Sequence, residues 1–438
     1  MSFFLKGIKA PHRKSTAAKH AVRMPLPKMV TVPMSMHIGA PAALAVKVGD
    51  SVKVGTLIGE SSGYVSSPIY SSVSGRVTKI VNLMQPNGST VPAAVIESDG
   101  TGEVDGAIAP PQVNSREEFI EAVKKSGIVG LGGAGFPTHV KLNVDPERVD
   151  ELIINGAECE PYITSDTLTM TDRVDDLANG INTLKRFLGI KKIVLGIEAN
   201  KKNAISAMKE LALRIEGMEV CVLPALYPQG GEKVLIYHTV KKTVPAGRLP
   251  IDVGCIVINC TTLAAIGAYL KTGMPLVEKC VTVDGSAVCE PKNVIAPIGC
   301  SVSDIFEFCG GLKHEPDKIL FGGPMMGSSA PDLNAPITKK TNAVLALTYK
   351  EAKLPKTTAC IRCGSCTNSC PFGLAAAEIL LAYDKKDVQR LSELSVNSCM
   401  ECGCCSYICP ANRPLVQTNK LAKALLKEEK AKEASKNG

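Results

Sequence analysis

The sequence contains no tryptophan, and only 4% of its 438 residues are aromatic. Proteins that bind single-stranded nucleic acid stack the bases on aromatic side chains, so this composition argues against that class despite a net charge of +8. Long apolar runs are missing as well. The longest apolar passage, residues 251–270, contains Asp252, Asn259 and Thr261 where a membrane-spanning helix would stay apolar. It predicts a buried strand, a loop and the start of a helix instead.

A disulfide framework is also missing. Nine of the 17 cysteines fall in two compact blocks, eight of them at the ligand positions described below, and the other eight are scattered. The N-terminal MSFFLKGIKA has no secretory pattern, so we expect a protein of the reducing cytoplasm. A chain of this length is too long for one ordinary domain, and about three are expected.

The two cysteine blocks, CIRCGSCTNSCP and CMECGCCSYICP, each follow the C-x2-C-x2-C-x3-C-P spacing of bacterial ferredoxins. Three cysteines of a block bind one [4Fe-4S] cube, and the fourth reaches the neighbouring cube. One predicted cluster is bound by Cys360, Cys363, Cys366 and Cys409, and the other by Cys399, Cys402, Cys405 and Cys370. Cys404 is then not a ligand. The alternatives are structural zinc or disulfides, but zinc sites rarely need a third cysteine and a C-P terminus in both of two copies.

The segment between the blocks, GLAAAEILLAYDKKDVQRLSEL, has helical composition. An apolar stripe at Leu374, Ala377, Leu381 and Val388 predicts helices around the clusters. Residues 351–438 are therefore predicted to form a helical two-cluster ferredoxin domain with a basic tail. We expect that tail to be solvated and frayed, the alternative being a basic amphipathic helix at an anionic membrane.

The N-terminal part is predicted to be rich in β-structure. Residues 1–30 are basic and contain several prolines, and we expect them to wrap another domain. The short runs VKVGDSVKVGTLIGE and SGRVTKI resemble the hammerhead fold of biotinyl and lipoyl carriers. Such carriers present a lysine at a hairpin tip, where this chain reads SSGYVSSPIY. Without that lysine, residues 1–110 are predicted to be a barrel-sandwich hybrid that docks other domains and carries no cofactor.

The next part predicts an α/β domain. SREEFIEAVKKSG has the capping box of a helix start, with Ser115 as N-cap and Glu118 three residues later. The glycine-rich GIVGLGGAGFPTHVKLN can present bare N–H groups to an anion, although tight turns use the same residues. A predicted strand then ends at Asn155, Glu158 and Glu160, where an α/β sheet places ligand groups. Helices at 175–188 and 201–215 alternate with apolar strands, as in a doubly wound sheet.

Four motifs in this region, GLGGAGFPT-x-x-K, N-G-A-E-C-E-P, Y-P-Q-G-G-E-K and I-N-C-T-T, resemble the flavin-binding subunit of respiratory complex I. The hammerhead before them and the ferredoxin after them resemble the C subunit of the Rnf complex, a membrane-associated ferredoxin:NAD oxidoreductase. The cobalamin reductase of propanediol-degrading compartments shares this domain order. The resemblance implies a multidomain α/β and α+β protein with an FMN/NADH domain over residues 111–272 and a β-grasp module over 273–350. In that module, two short strands and a helix precede a GGPMMG loop, to which we assign no catalytic role.

The resemblance also implies site residues. Those that match FMN-contacting positions are Gly130, Gly132, Gly133, Lys141, Asn155, Glu158, Tyr227, Gly230, Asn259 and Thr262. Those that match positions around the nicotinamide nucleotide are Phe136, Glu160 and Glu232. Leu131 and Ala157 stand where the complex I protein has arginine and aspartate. Two alternatives stay open: Glu158 and Glu160 could be charges at the start of a helix, and Y-P-Q-G-G could be only a turn.

The implied activity is electron transfer between NAD(H), FMN and two [4Fe-4S] clusters, in either direction. No acid–base residue is expected, because hydride passes directly between stacked rings. The implied partners are NADH and the other membrane and ferredoxin-type subunits of a complex, with the chain peripheral on the cytoplasmic face of the bacterial inner membrane. The alternatives are a soluble cobalamin reductase and a non-catalytic scaffold whose ferredoxin domain alone relays electrons. The flavin content of the purified protein separates these alternatives, because both reductases bind a flavin and the scaffold does not.

Overall fold

The computed structural model describes residues 6–85 and 88–436. The strands are β1 (Val22–Arg23), β2 (Met29–Pro33), β3 (Ala43–Leu44), β4 (Ser51–Val52), β5 (Leu57–Glu60), β6 (Ile69–Tyr70), β7 (Gly75–Met84), β8 (Thr90–Ser98), β9 (Glu151–Gly156), β10 (Lys192–Glu198), β11 (Met218–Leu223), β12 (Cys255–Asn259), β13 (Glu278–Asp284), β14 (Lys292–Pro297), β15 (Lys318–Phe321), β16 (Ser328–Ser329) and β17 (Ala343–Leu347). The α-helices are α1 (Arg116–Lys125), α2 (Thr138–Leu142), α3 (Ser165–Asp172), α4 (Val174–Leu188), α5 (Lys202–Ala212), α6 (Glu232–Val240), α7 (Cys260–Thr272), α8 (Val302–Phe308), α9 (Tyr349–Ala352), α10 (Ser365–Ser369), α11 (Ala376–Asp384), α12 (Val388–Glu393), α13 (Cys404–Tyr407) and α14 (Leu415–Lys436).

The N-terminal part forms two small sheets, β2-β8-β7-β4 and β3-β5-β6, as predicted for a barrel-sandwich hybrid. Its hairpin tip is held against the rest of the protein. Ser67 Oγ donates to the Gly127 carbonyl at 3.2 Å, and Lys339 Nζ donates to the Pro68 and Gly127 carbonyls at 2.6 and 2.7 Å. Burial lowers the pKa of Lys339 to about 7. The tip is therefore part of a junction of three domains.

The α/β domain is built on a parallel sheet in the order β11-β10-β9-β12. Its strands are apolar runs, because helices cover both faces of such a sheet. The strand order reverses at β9, and in open α/β sheets ligands bind at the carboxyl ends of the strands where the order reverses. The predicted capping box of Ser115 and Glu118 is present at α1. Residues 251–270 differ from the prediction: β12 passes into α7 without a loop, because Asn259 itself caps the helix.

The β-grasp part contributes to a six-stranded sheet, β1-β14-β13-β17-β15-β16, in which GGPMMG connects β15 and β16. The N-terminal segment wraps other domains, as predicted, over the residues from 6 onward that the structure describes. Its strand β1 pairs in parallel with β14, and Ile8 exchanges two main-chain hydrogen bonds with Tyr227 of the α/β domain. Arg13 contacts Tyr162 and Glu351 through its guanidinium group.

The C-terminal part is helical, as predicted, but one member of the predicted apolar stripe is wrong. Leu381 is 57% exposed, and α11 instead buries Ile379 and Leu380 in the core of the domain. Because α11 and α12 are separate helices, the positions Leu374, Ala377, Leu381 and Val388 do not form one continuous buried face. The frayed tail is also wrong, because α14 continues to Lys436 and buries Ala422 and Leu426. Over residues 6–85 and 88–436, no helix combines the length and apolarity needed to cross a membrane.

Candidate functional site

Two predicted asparagines meet at the carboxyl ends of β9 and β12. Asn155 and Asn259 are register partners across the two strands, at the point where the strand order reverses. Asn259 Oδ1 accepts from the amides of Thr261 and Thr262, and its Nδ2 donates to Asp166 Oδ2 at 2.6 Å. Asn155 Nδ2 donates to the Gly230 carbonyl at 2.9 Å and so attaches the Y-P-Q-G-G turn to the same sheet edge.

The glycine-rich loop lies against Asn259. Two hydrogen bonds hold the main chain of this loop at Leu131. The Leu131 amide donates to Thr262 Oγ1 at 2.9 Å, and the Leu131 carbonyl accepts from Lys279 Nζ at 2.7 Å. A Cβ on Gly132 would lie 2.5 Å from Asn259 Nδ2, whereas a Cβ on Gly133 would have no described residue within 4 Å apart from its chain neighbours. The side chain of Leu131 is buried, so the position where complex I has arginine serves the core in this chain.

Lys141 and Glu232, predicted for FMN and for the nucleotide, form an ion pair. Lys141 Nζ lies 2.8 Å from Glu232 Oε1 and also donates to the Val257 carbonyl at 3.0 Å. Both side chains are partly exposed, so the lysine is available to a ligand at the edge of the site. Phe136 is half-buried at the other end of the loop, where its carbonyl accepts from the amide of Gly130 at 2.9 Å.

The carboxylate of Glu158 is hydrogen-bonded to other residues of the protein. Its carboxylate accepts from the Asp166 amide at 2.8 Å and from Thr167 Oγ1 at 2.8 Å, which holds the first turn of α3. This is the helix-start interpretation that the sequence left open. Burial, and then the charge of Glu158, raise the pKa of Asp166 to about 6. A contact between Glu158 and FMN stays a prediction.

Glu160 lies deeper than a nucleotide-facing residue was expected to lie. Its two carboxylate oxygens accept from the amides of Met326 and Met325 in the GGPMMG loop at 2.7 and 3.1 Å. Burial raises the pKa of Glu160 to about 7. Its predicted role beside the nicotinamide nucleotide stays a prediction, because the structure commits both oxygens to the loop.

Lysines around these carboxylates, Lys201 and Lys279 buried and Lys14 half-buried, were missed by the sequence analysis. Lys14 Nζ donates to the carbonyls of Glu158 and Glu160 at 2.9 and 2.7 Å, and Lys201 Nζ donates to the Glu158 carbonyl at 3.1 Å. Burial lowers the pKa of Lys14. Together with Lys279 at the glycine loop, they fix the main chain of the site. Lysines are mostly exposed residues, so their positions in the sequence gave no sign of this burial.

The Y-P-Q-G-G turn joins the site to the second cysteine block. Tyr227 Oη donates to the Cys402 carbonyl at 2.7 Å, and the Gly230 amide donates to Cys159 Sγ at 3.3 Å. Gln229 is fully buried, and neither atom of its side-chain amide has a hydrogen-bond partner among residues 6–85 and 88–436. Because no surface of this side chain is open to solvent, Gln229 does not line the open edge of the site.

The cysteines of the second predicted cluster line one cavity, formed by Cys370, Cys399, Cys402 and Cys405 together with Cys404. The cysteines of the first cluster are more dispersed: Cys366 and Cys409 lie in one apolar group, whereas Cys360 and Cys363 are exposed. Within residues 6–85 and 88–436, no three metal-binding side chains converge on a single ion. A cube does not require such convergence, because each of its four irons takes one thiolate.

Cys404 is buried between the second cavity and the Y-P-Q-G-G turn, and its Sγ lies 3.8 Å from the Tyr227 carbonyl. An apolar group connects the turn with the second cysteine block, and we call it the flavin–cluster seam. Its members are Ile8, Ala10, Cys159, Tyr227, Met325, Met400, Cys402 and Cys404. The seam brings the predicted flavin site and the second cluster site into direct contact.

Four family models match the chain. They are the RnfC barrel sandwich hybrid domain (residues 2–101), the Nuo51 FMN-binding domain (123–268), the SLBB domain (280–328) and the 4Fe-4S dicluster domain (356–432). FMN and two [4Fe-4S] clusters are therefore cofactors of this chain. Among solved structures, that of the NAD+-reducing [NiFe]-hydrogenase in the air-oxidized state matches 64% of this chain and 54% of that chain, at 18% identity and a TM-score of 0.49.

Curated relatives match over most of their length. The C subunit of the proton-translocating ferredoxin:NAD(+) oxidoreductase complex of Clostridium ljungdahlii is 42% identical over 87% of this chain and 84% of its own. Its Na(+)-translocating counterpart from Acetobacterium woodii is 40% identical over 86% of each chain. The C subunit of the ion-translocating oxidoreductase complex of Rhodobacter capsulatus is 39% identical over 98% of this chain and 85% of its own. The chain therefore belongs to the family of C subunits of ion-translocating ferredoxin:NAD+ oxidoreductase (Rnf) complexes.

Proposed function

We propose that this chain is the subunit of a ferredoxin:NAD oxidoreductase complex that exchanges electrons with NAD(H). The observation that carries the proposal is the hydrogen bond from Tyr227 Oη to the Cys402 carbonyl, which ties the flavin-site turn to a cysteine of the second cluster. When bound, FMN exchanges two electrons with a nicotinamide and single electrons with iron–sulfur clusters. A chain that holds both cofactors side by side can convert between the two kinds of transfer.

The flavin site is assigned to the carboxyl ends of β9 and β12. Asn155 and Asn259 supply polar contacts, and the exposed main chain at Gly133 leaves room for the ligand. The ammonium group of Lys141 can bind a phosphate, although it also forms an ion pair with Glu232. The remaining predicted FMN residues, Gly130, Gly132, Glu158, Tyr227, Gly230 and Thr262, surround or support these groups.

The nucleotide is assigned to the open side of the same site. Phe136 is half-buried at the end of the glycine loop and offers an apolar surface to an adenine ring. Glu232 lies at the edge beside Lys141 and can accept hydrogen bonds from a ribose. No side chain in this arrangement has to transfer a proton, since hydride moves directly between stacked rings.

The two clusters are assigned to different positions along the path. Cys399, Cys402, Cys405 and Cys370 form the flavin-side set, because Cys402 belongs to the flavin–cluster seam. Cys360 and Cys363 of the other set lie in the segment 353–364, in which every residue is exposed. This set therefore faces outward, where another protein can exchange electrons with it. Lys353, Lys356 and Arg362 are the charged residues of that segment, so its partner is expected to present an acidic surface.

The partners are the other subunits of the complex, including membrane-embedded and ferredoxin-type subunits. The chain is then peripheral, on the cytoplasmic face of the bacterial inner membrane, where NADH is available. The domain limits that go with this proposal are 1–110, 111–272, 273–350 and 351–438. Copurification of the tagged chain with integral membrane proteins, after mild detergent extraction, tests the assembly and separates it from a soluble cobalamin reductase.

The order of the path can be tested by rapid mixing of the anaerobic protein with NADH. In the parent protein, the flavin and both clusters should bleach. Cys405→Ala removes a ligand of the flavin-side set, so the flavin should still bleach while the outward cluster stays oxidised. Cys366→Ala, the same motif position in the other block, should leave both the flavin and the flavin-side cluster reducible. If the outward cluster of Cys405→Ala is reduced as fast as in the parent, the proposed order is wrong.

A further inference from the structure

The GGPMMG loop is hydrogen-bonded to the carboxylate of Glu160. Met325 and Met326 direct successive amides at the two oxygens of this carboxylate, which is the anion nest of a tight loop occupied by a side chain of another domain. The Glu160 main chain is fixed in turn by Lys14, whose Nζ donates to its carbonyl at 2.7 Å. The loop is therefore attached to the α/β domain through a carboxylate that is itself held in place.

The glycines of the motif are explained by this attachment. A Cβ on Gly323 would collide with the Glu160 carboxylate, and a Cβ on Gly327 would collide with the carbonyls of Phe321 and Gly323. Gly322 has a φ of +84°, which favours glycine. The Gly327 amide closes the loop by donating to the Gly323 carbonyl at 2.8 Å. The sequence GGPMMG thus forms a compact loop shaped around a carboxylate.

The two methionines of the loop have different surroundings. Met325 packs into the flavin–cluster seam with Tyr227 and Cys402. Its carbonyl lies 3.1 Å from the place where a Cβ on Gly403 would be, so the loop covers the turn between two cysteines of the second block. Met326 is 49% exposed and is not a member of the flavin–cluster seam. Of the two methionines in the loop, Met325 is the one that lies against the second cysteine block.

We propose that Glu160 is a positioning residue that clamps the GGPMMG loop over the second cluster, so that Met325 keeps water away from Cys402 and holds the reduction potential of this cluster low. Reduction adds one electron to a cluster that its four thiolates already make anionic, and water stabilises the added charge. Admitting water at this place therefore raises the potential. The proposal rests on the ligand set Cys399, Cys402, Cys405 and Cys370 given under the proposed function.

The test is an anaerobic redox titration of the holoprotein, followed by electron paramagnetic resonance, on four variants. Met325→Ala should raise one of the two cluster potentials, and Met325→Leu, which keeps the apolar cover, should restore it. Met326→Ala is the matched control in the same loop and should change neither potential. Glu160→Gln should raise the same potential as Met325→Ala, because glutamine can accept from only one of the two amides.

Hydrogen exchange of the peptide spanning 322–327 gives a readout that does not depend on electron transfer. In Glu160→Gln, one of the amides of Met325 and Met326 should exchange at least tenfold faster, because it has lost its carboxylate acceptor. The proposal is overturned if Met325→Ala leaves both potentials unchanged, or if Met326→Ala shifts them equally. The comparison of Met325→Ala with Met326→Ala tests the proposal even if Glu160→Gln does not fold. Iron for only one cluster in the parent would instead show that the cofactor assignment had failed.

Discussion

Neighbouring glycines of the glycine-rich loop should respond differently to the addition of one methyl group. In Gly132→Ala, the new Cβ would lie 2.5 Å from Asn259 Nδ2 and 2.7 Å from its Cγ, so Asn259 must move. That movement breaks the cap of α7, worth about 1 kcal/mol, and the hydrogen bond to Asp166, worth about 1.5–3 kcal/mol. The expected local loss is about 2.5–4 kcal/mol. In Gly133→Ala the methyl group meets no atom of the described residues within 4 Å beyond its chain neighbours, so the protein itself should be as stable as the parent.

Multidomain proteins seldom unfold in two states, so local stability is best measured by hydrogen exchange of the first turn of α7 in the FMN-depleted protein. The amides of Thr261 and Thr262 should exchange at least tenfold faster in Gly132→Ala and at the parent rate in Gly133→Ala. FMN affinity should fall in both variants, since in Gly133→Ala the methyl group enters the space assigned to the ligand. Crowding of that kind costs about 1–3 kcal/mol, or roughly fivefold to a hundredfold in affinity. Equal exchange in the two variants, or unchanged FMN binding by Gly133→Ala, would refute the geometry assigned to this loop.

Three further predictions concern the cofactors. The anaerobic protein should contain about eight irons per chain; Cys405→Ala should lose about half of them and Cys404→Ala none, as measured by iron and sulfide analysis. Lys141→Ala should weaken FMN binding by about 1.5–3 kcal/mol, roughly tenfold to a hundredfold, and an unchanged dissociation constant in a fluorescence titration would remove Lys141 from the site. Intact mass spectrometry should find no biotinyl or lipoyl group on any lysine between Lys47 and Lys79, because the hammerhead tip lacks the acceptor.

The cluster ligands illustrate what local spacing can predict. The cysteines of each block lie within eleven positions, so their geometry depends on a short segment of main chain and can be inferred from the sequence. The capping box of Ser115 and Glu118 was predictable for the same reason, since the contact spans three residues. The stripe that included Leu381 failed because the face that a helix buries depends on the helices packed against it, here α14.

The hydrogen-bond partners of the carboxylates at the site could not be predicted from local spacing. Glu158 and Glu160 were both placed near the site from the sequence, and both lie there. Their partners could not be inferred, because those partners come from distant parts of the chain: Lys14 from the N-terminal segment and Met325 from the β-grasp hairpin.

By itself, the sequence determined the order of the domains, the two cysteine motifs and the strand ends to which the flavin site is assigned, since each depends on local pattern or on close spacing. Only the tertiary structure decided that the second cysteine block is the one beside the Y-P-Q-G-G turn, and that Glu160 holds the GGPMMG loop. These features depend on which surfaces pack together. Packing is a property of the whole chain, because burying a polar or charged group is tolerated only where another segment supplies its hydrogen bonds.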